Sequence, residues 1–186
     1  MIEINKLRKL YQLKNVERVG RVKERQESPA EHSWSSLILA DYVINNFKIE
    51  VDRLKVFELL MYHDIVEIEA GDVAIHHEKE RENKKEEEEK AFQILKKDFP
   101  LALKDKFEQL FNEFESQETK EAKFAKAIDN FDALVHELDY KEDWKGWTEE
   151  MVRKYHGKAI DVVPELKELF EKLIDYCKHK GYFDQE

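Results

Sequence analysis

Ser28-Pro29-Ala30-Glu31-His32-Ser33-Trp34 carries the clearest structural instruction in the chain. A serine hydroxyl placed before a helix accepts a free backbone N–H of the first turn, and a glutamate three residues later returns the bond to the serine backbone. Proline at the first helical position sacrifices no donor and has its φ already set. Beyond it, Trp34, Leu37, Ile38, Ala40, Asp41 and Ile44 continue at helical spacing, so a helix is expected from residue 29 to about 44. Towards the N-terminus, Ile4, Leu7, Leu10 and Tyr11 give an amphipathic helix, and residues 15–27 form an irregular connection carrying Arg18, Arg21 and Arg25. Towards the C-terminus, a third helix begins near Asp52 and carries Leu54, Phe57, Leu60 and Met61 up to His63-Asp64; Gly71 stops the segment after Glu67. Residues 78–90 are almost wholly charged with mixed signs at i,i+4, the solvated start of a helix that ends in Ala91, Phe92, Ile94 and Leu95. Further helices are expected around 101–115, 119–140, 147–157 and 164–180. Five glycines and three prolines are too few for a turn-rich β protein, and the fold class is all-α.

Composition sets the outer limits. A chain of 186 residues without an obvious linker suits one domain. The 40% of charged residues does not mean disorder, because apolar residues keep helical spacing; it means long helices with charged outer faces. A formal net charge of -10 argues against polymeric nucleic acid as a partner, while leaving room for a local basic pocket. Cys177 is the lone cysteine, which excludes an intramolecular disulfide and a thiolate zinc cluster and suits a reducing, cytoplasmic setting. The first residues lack the basic and apolar regions of a signal peptide, and no run approaches the ~18 apolar residues of a membrane span, so no membrane partner is expected.

Chemistry concentrates at four positions. His63-Asp64 closes the apolar face of the third helix, where both side chains can reach one ion. Alone, the pair fits a core histidine equally well. His32 lies in the first turn of the capped helix. Asp129 borders an apolar face made by Phe124, Ile128, Phe131, Leu134 and Leu138. A carboxylate left dry and unpaired there costs several kcal/mol, so it requires a metal ion or a buried arginine. Two imidazoles and two carboxylates make a mixed N/O donor set suited to one divalent Mn, Fe, Co, Ni or Zn ion.

The order His32, His63-Asp64, Asp129 resembles the signature of the HD-domain metal-dependent phosphohydrolases. Three longer stretches, at 27–33, 63–72 and 121–129, resemble the 5′-deoxynucleotidase branch, and the likeness spans roughly residues 5 to 145. A more distant likeness is to the HD phosphohydrolase of oxetanocin biosynthesis. The resemblance implies an HD-domain helical bundle, with residues 1–186 as a single domain of core about 5–145 and a C-terminal helical extension of about 146–186. It implies one divalent transition metal on His32, His63, Asp64 and Asp129, a catalytic role for Glu67, Arg18 and Asp72, and a homodimer. The implied reaction is hydrolysis of (deoxy)nucleoside 5′-monophosphates to nucleoside and phosphate by a metal-activated water. Arg18 would hold the phosphate, its planar guanidinium matching two oxygens. Glu67 would orient the nucleophile or protonate the leaving oxygen, and Asp72 would bond a sugar hydroxyl. The tryptophan that helps bacterial relatives exclude ribose is replaced by Val19, Gly20 and Arg21, so the resemblance leaves the choice between deoxy and ribo sugar open.

Other residues are read more plainly. Arg21, Lys23 and Arg25 either widen the phosphate pocket or face water, and His76 and His77 lie at the surface rather than sharing an ion. His136, Glu137 and Asp139 follow Asp129 and either extend the site by one or two turns or are ordinary helix residues. Trp144 and Trp147 beside Gly146 pack a loop or stack on a base. Two rival functions remain at this level: a nucleotide-binding regulatory module without turnover, or hydrolysis of another small phosphate ester. A plain helical scaffold is a third, and it would bind no metal.

Overall fold

The capping box forms as read. In the computed structural model, which describes residues 1–73, 75 and 83–183, the Ser28 hydroxyl accepts from the Glu31 N–H and the Glu31 carboxylate accepts from the Ser28 N–H. Helix α1 is Ile2–Leu10, followed by a 3-10 turn at Tyr11–Asn15; α2 is Pro29–Phe47, α3 Arg53–Tyr62, α4 Glu67–Ala70 and α5 Lys84–Asp98. Then come α6 Lys104–Ser116, α7 Lys120–Glu137, α8 Glu149–Val152, α9 Lys158–Ile160 and α10 Pro164–Lys180. Side-chain caps start α3 (Asp52, accepting from Lys55 N–H), α7 (Thr119, from Ala122 N–H) and α8 (Thr148, from Met151 N–H).

Helices α2, α3 and α7 pack against one another and form the centre. Helix α6 covers α3 and α7, α5 lies against α4, and α10 packs on α7 and α2. One continuous apolar core runs from Leu13 to Cys177, so the segment after residue 145 shares the interior of the rest. Phe92 stacks on Phe111 at 4.4 Å and Phe99 on Phe107 at 4.2 Å between ring centroids. Each such buried phenylalanine contributes roughly 1.5–3 kcal/mol by leaving water.

Three expectations are revised. The apolar face of α1 is covered only at its end: Leu10 packs against the core half-buried, no α1 residue is fully buried, and the segment is anchored by Leu13, which the 3-10 turn rotates into the core. The connection at 15–27 contains a small antiparallel hairpin, Arg21–Val22 with Arg25–Gln26, turned by Lys23 at φ 57°. The helix expected at 147–157 is interrupted by a π turn at Arg153–Gly157 and continues into α9. The charged run at 78–90 lies only partly within the described residues, where Lys84 onward is helical; His76 and His77 fall outside them.

Candidate metal and phosphate site

The first turn of α2, the end of α3 and the middle of α7 meet at one point. His32 is buried there because the capping box fixes where α2 begins. His63 is the C-cap of α3, and Asp129 comes from α7. Ligand-capable atoms of His32, His63 and Asp129 lie within 4.8 Å of one another. His32 Nε2 is 3.0 Å from Asp129 Oδ1, and His63 Nε2 is 3.7 Å from the same oxygen. Asp64 stands at the rim, with Oδ1 3.1 Å from His63 Nε2 and Oδ2 3.3 Å from Arg18 Nη1. Three of the four residues expected to hold a metal thus form one cluster, and Asp64 lies at its edge against His63.

Neighbours fix the ring orientations. His63 Nδ1 donates to the Leu60 carbonyl at 2.8 Å, which turns Nε2 into the site. That nitrogen is buried and, although it stands near the carboxylates of Asp64 and Asp129, it has no hydrogen-bond partner. A buried polar atom without a partner is costly, and a cation between these groups would remove the cost. His32 Nδ1 faces Asp132 Oδ2 at 3.0 Å, and Ser35 Oγ donates to the same oxygen at 2.6 Å. A carboxylate behind a ligating histidine sets its tautomer and raises its basicity. Burial and the Arg18 charge push the His32 imidazolium down, but Asp129 and Asp132 outweigh them and raise its pKa to about 9. The donor set and the partnerless nitrogen fit a divalent transition metal.

Arg18 sits among carboxylates. Its Nε is 3.3 Å from Glu27 Oε2, and its Nη1 is 4.0 Å from Asp72 Oδ1. The hairpin positions it: Arg18 N–H donates to the Glu27 carbonyl at 2.8 Å, and Glu27 N–H to the Gly20 carbonyl at 2.7 Å. A Cβ at Gly20 would stand 3.2 Å from Glu137 Oε1, so the glycine leaves room for that side chain beside the hairpin. Glu67 is buried at the start of α4, with Oε2 unpartnered. Burial first, then the charges of Asp64 and Asp72, hold its carboxyl well above the usual range. Arg18, Glu67 and Asp72 border one cavity of about 880 Å³ together with His63, Asp64 and Asp129.

Sequence reasoning missed three contributors. Asp132 lies three residues after Asp129 on the same helix, a spacing that could have marked it once Asp129 was suspected. Glu27, immediately before the cap serine, is buried against Arg18. Lys126 Nζ donates to Asp129 Oδ2 at 2.8 Å and lies 4.9 Å from the Phe114 ring centre. Of the residues passed over, Arg21 pairs with Glu142 and Asp143, and Arg25 with Glu31. His136 and Glu137 border the cavity, the outcome in which α7 extends the wall by two turns beyond Asp129; Asp139 does not line it. Trp144 is buried, donating its indole N–H to the Glu137 carbonyl and packing edge-on to Tyr182 and Phe183.

Comparison with known proteins bears on this arrangement. The HD domain family matches residues 10–169. The chain belongs to the HD-domain family. Human HDDC2, a 5′-deoxynucleotidase, is 31% identical over 139 residues, covering 73% of this chain and 67% of its own. The 5′-deoxynucleotidase hdd1 of Schizosaccharomyces pombe is 30% identical over 141 residues, 74% of this chain and 70% of its own. Among solved structures, a predicted metal-dependent phosphohydrolase from Magnetospirillum magnetotacticum superposes with a TM-score of 0.85 at 30% identity, covering 99% of this chain and 97% of the other. This HD protein therefore shares its all-helical fold and its class of chemistry, phosphohydrolysis, with those relatives. Among the described residues no helix is long and apolar enough to cross a membrane.

Proposed function

We propose that this HD-type hydrolase removes phosphate from (deoxy)nucleoside 5′-monophosphates, releasing nucleoside and phosphate. The observation that carries the reading is the partnerless, buried Nε2 of His63 beside His32 and Asp129, in a cavity shared with Arg18 and Glu67. His32, His63, Asp64 and Asp129 would hold one Mn, Fe, Co, Ni or Zn ion. When bound, such an ion neutralises charge on a phosphoryl oxygen and lowers the pKa of a nearby water.

The chain's own residues supply the rest. Arg18, braced by Glu27 and Asp64, presents its guanidinium to the phosphate. Glu67 retains a proton in its buried setting and delivers it to the 5′ oxygen as the P–O bond breaks. The water oxygen bonds to phosphorus, and the proton it sheds restores the acid. Asp72, beside Arg18, meets the sugar or holds the guanidinium in place. The nucleotide substrate class is supported by the relatives' names and by the cavity's size.

A panel assay tests this. Purified protein loaded with Co or Mn is expected to release phosphate from deoxy- and ribonucleoside 5′-monophosphates. Glu67→Ala should keep its metal yet turn over about 10²–10⁴-fold more slowly. A metal-loaded protein that binds nucleotides and hydrolyses none would favour the regulatory module.

The assembly is taken as a cytoplasmic homodimer. On α2, Trp34, Ile38 and Tyr42 are exposed at i, i+4 and i+8 and form one apolar stripe. A second copy of α2 would cover it. Light scattering should give twice the chain mass, and Trp34→Glu should give the monomer; a monomeric parent refutes it. The buried, unpaired Cys177 suits a reducing compartment.

A further inference from the structure

Beyond Asp129 the cavity changes character. On the metal side its wall carries the charged groups of the phosphate chemistry; along the next turns of α7 and across to α8, Ala133, Leu134, Val152 and Trp147 add an apolar surface beside His136 and Glu137. Phosphate and sugar do not fill about 880 Å³, and this apolar arm is the part they leave over.

Trp147 is the distinctive group in that arm. Both Trp144 and Trp147 border the cavity, but Trp144 is buried in packing whereas Trp147 is only half buried. Its ring is braced: Tyr155 meets it at 6.0 Å and 78°, and His156 at 6.4 Å and 42°. His156 is buried, with Nδ1 3.2 Å from the carbonyl of Asn130, the residue after Asp129. One line of contacts thus joins the indole to the metal-site helix. Tyr155 and His156 both lie in the π turn at Arg153–Gly157. Such turns are rare inside helices and gather at functional sites. Arg153 locks this one by pairing with Glu149 and Glu171.

We propose that this arm is a nucleobase subsite in which the base stacks on Trp147. The inference rests on the nucleotide reading above. A stacked indole accepts any base, because every base has a π-face. The subsite therefore separates nucleotides from base-less sugar phosphates while discriminating little among the bases.

Two measurements test it separately from catalysis. The first is kcat/KM for dAMP relative to 2-deoxyribose 5-phosphate, in the metal-loaded parent, in Trp147→Leu and in Trp147→Phe. The leucine retains apolar bulk without a π-face, and the phenylalanine retains the face. The parent's preference for dAMP should shrink about tenfold or more in Trp147→Leu, chiefly through KM, and largely return in Trp147→Phe. An unchanged preference in Trp147→Leu overturns the proposal. The second is calorimetric binding of deoxyadenosine, which carries no phosphate. Binding by the parent and its loss in Trp147→Leu support the subsite even if no phosphate is ever released, in which case the hydrolase reading alone fails. Phosphate release together with deoxyadenosine affinity that ignores Trp147→Leu sinks the subsite and spares the hydrolase.

Discussion

His32 shows how much of the site depends on one imidazole being aimed. Its two ring nitrogens each face a carboxylate 3.0 Å away, Asp129 in front and Asp132 behind, with Ser35 holding Asp132 from a turn further along α2. Asp132 contributes no atom to the ligand set, so its removal should leave the protein folded but the ring unaimed. Asp132→Asn is expected to retain metal about 10–100-fold less tightly than the parent, a typical loss for such an outer partner. Metal content after dialysis against graded chelator reads this directly. Asp129→Ala should lose metal and activity outright. Parent-like retention in Asp132→Asn would mean that Ser35 and packing alone orient the histidine.

Element by element, what was legible is what is local. Capping at Ser28, Asp52 and Thr119 involves neighbours three residues apart, and the starts of α2, α3 and α7 were readable for that reason. Ser28→Ala should cost about 1 kcal/mol of unfolding free energy in denaturant titration. The Arg25 guanidinium, aided by Ser28 and opposed by partial burial, holds the Glu31 carboxyl down at about 2, against an ordinary 4.5. Because the folded value is the lower one, this pairing stabilises the fold above pH 4.5 and is lost as pH falls from there through about 2. Melting temperature followed across that window should fall less steeply in Glu31→Gln; identical acid limbs would show that the pair contributes nothing. What depends on distant partners was not legible. The apolar spacing of α1 predicts a covered face, but Ile2 and Ile4 stay exposed. The four candidate ligands came from motif order, whereas Asp132 and Glu27 matter only because the fold brings His32 and Arg18 to them. Periodicity likewise cannot register a π turn, which keeps helical spacing on either side.

Across the whole molecule the site is a ring of carboxylates with two cations, Arg18 and Lys126, set among them. An ion bound only by the folded state raises stability by about 2.7 kcal/mol at a hundredfold excess over Kd. Whether that gain reaches the C-terminal helix decides whether residues 1–186 act as one domain. Cys177 reports on this, for it lies in α10, is fully buried, and is the only cysteine. Burial raises its thiol pKa to about 11 from an ordinary 9, so the fold favours the neutral thiol. That preference stabilises the fold fully below pH 9 and fades as pH rises through about 11. At neutral pH a thiol reagent should therefore label Cys177 only when α10 lifts away from α7 and α2. Helix α7 carries Asp129, so in a single cooperative unit a metal ion at the site must slow the lifting of α10. Labelling in the presence of saturating Mn is expected to slow in proportion to the gain in global stability, and Asp129→Ala should abolish the protection. Labelling that ignores metal while the melting temperature rises would assign the extension from about residue 146 its own opening, independent of the core it packs on.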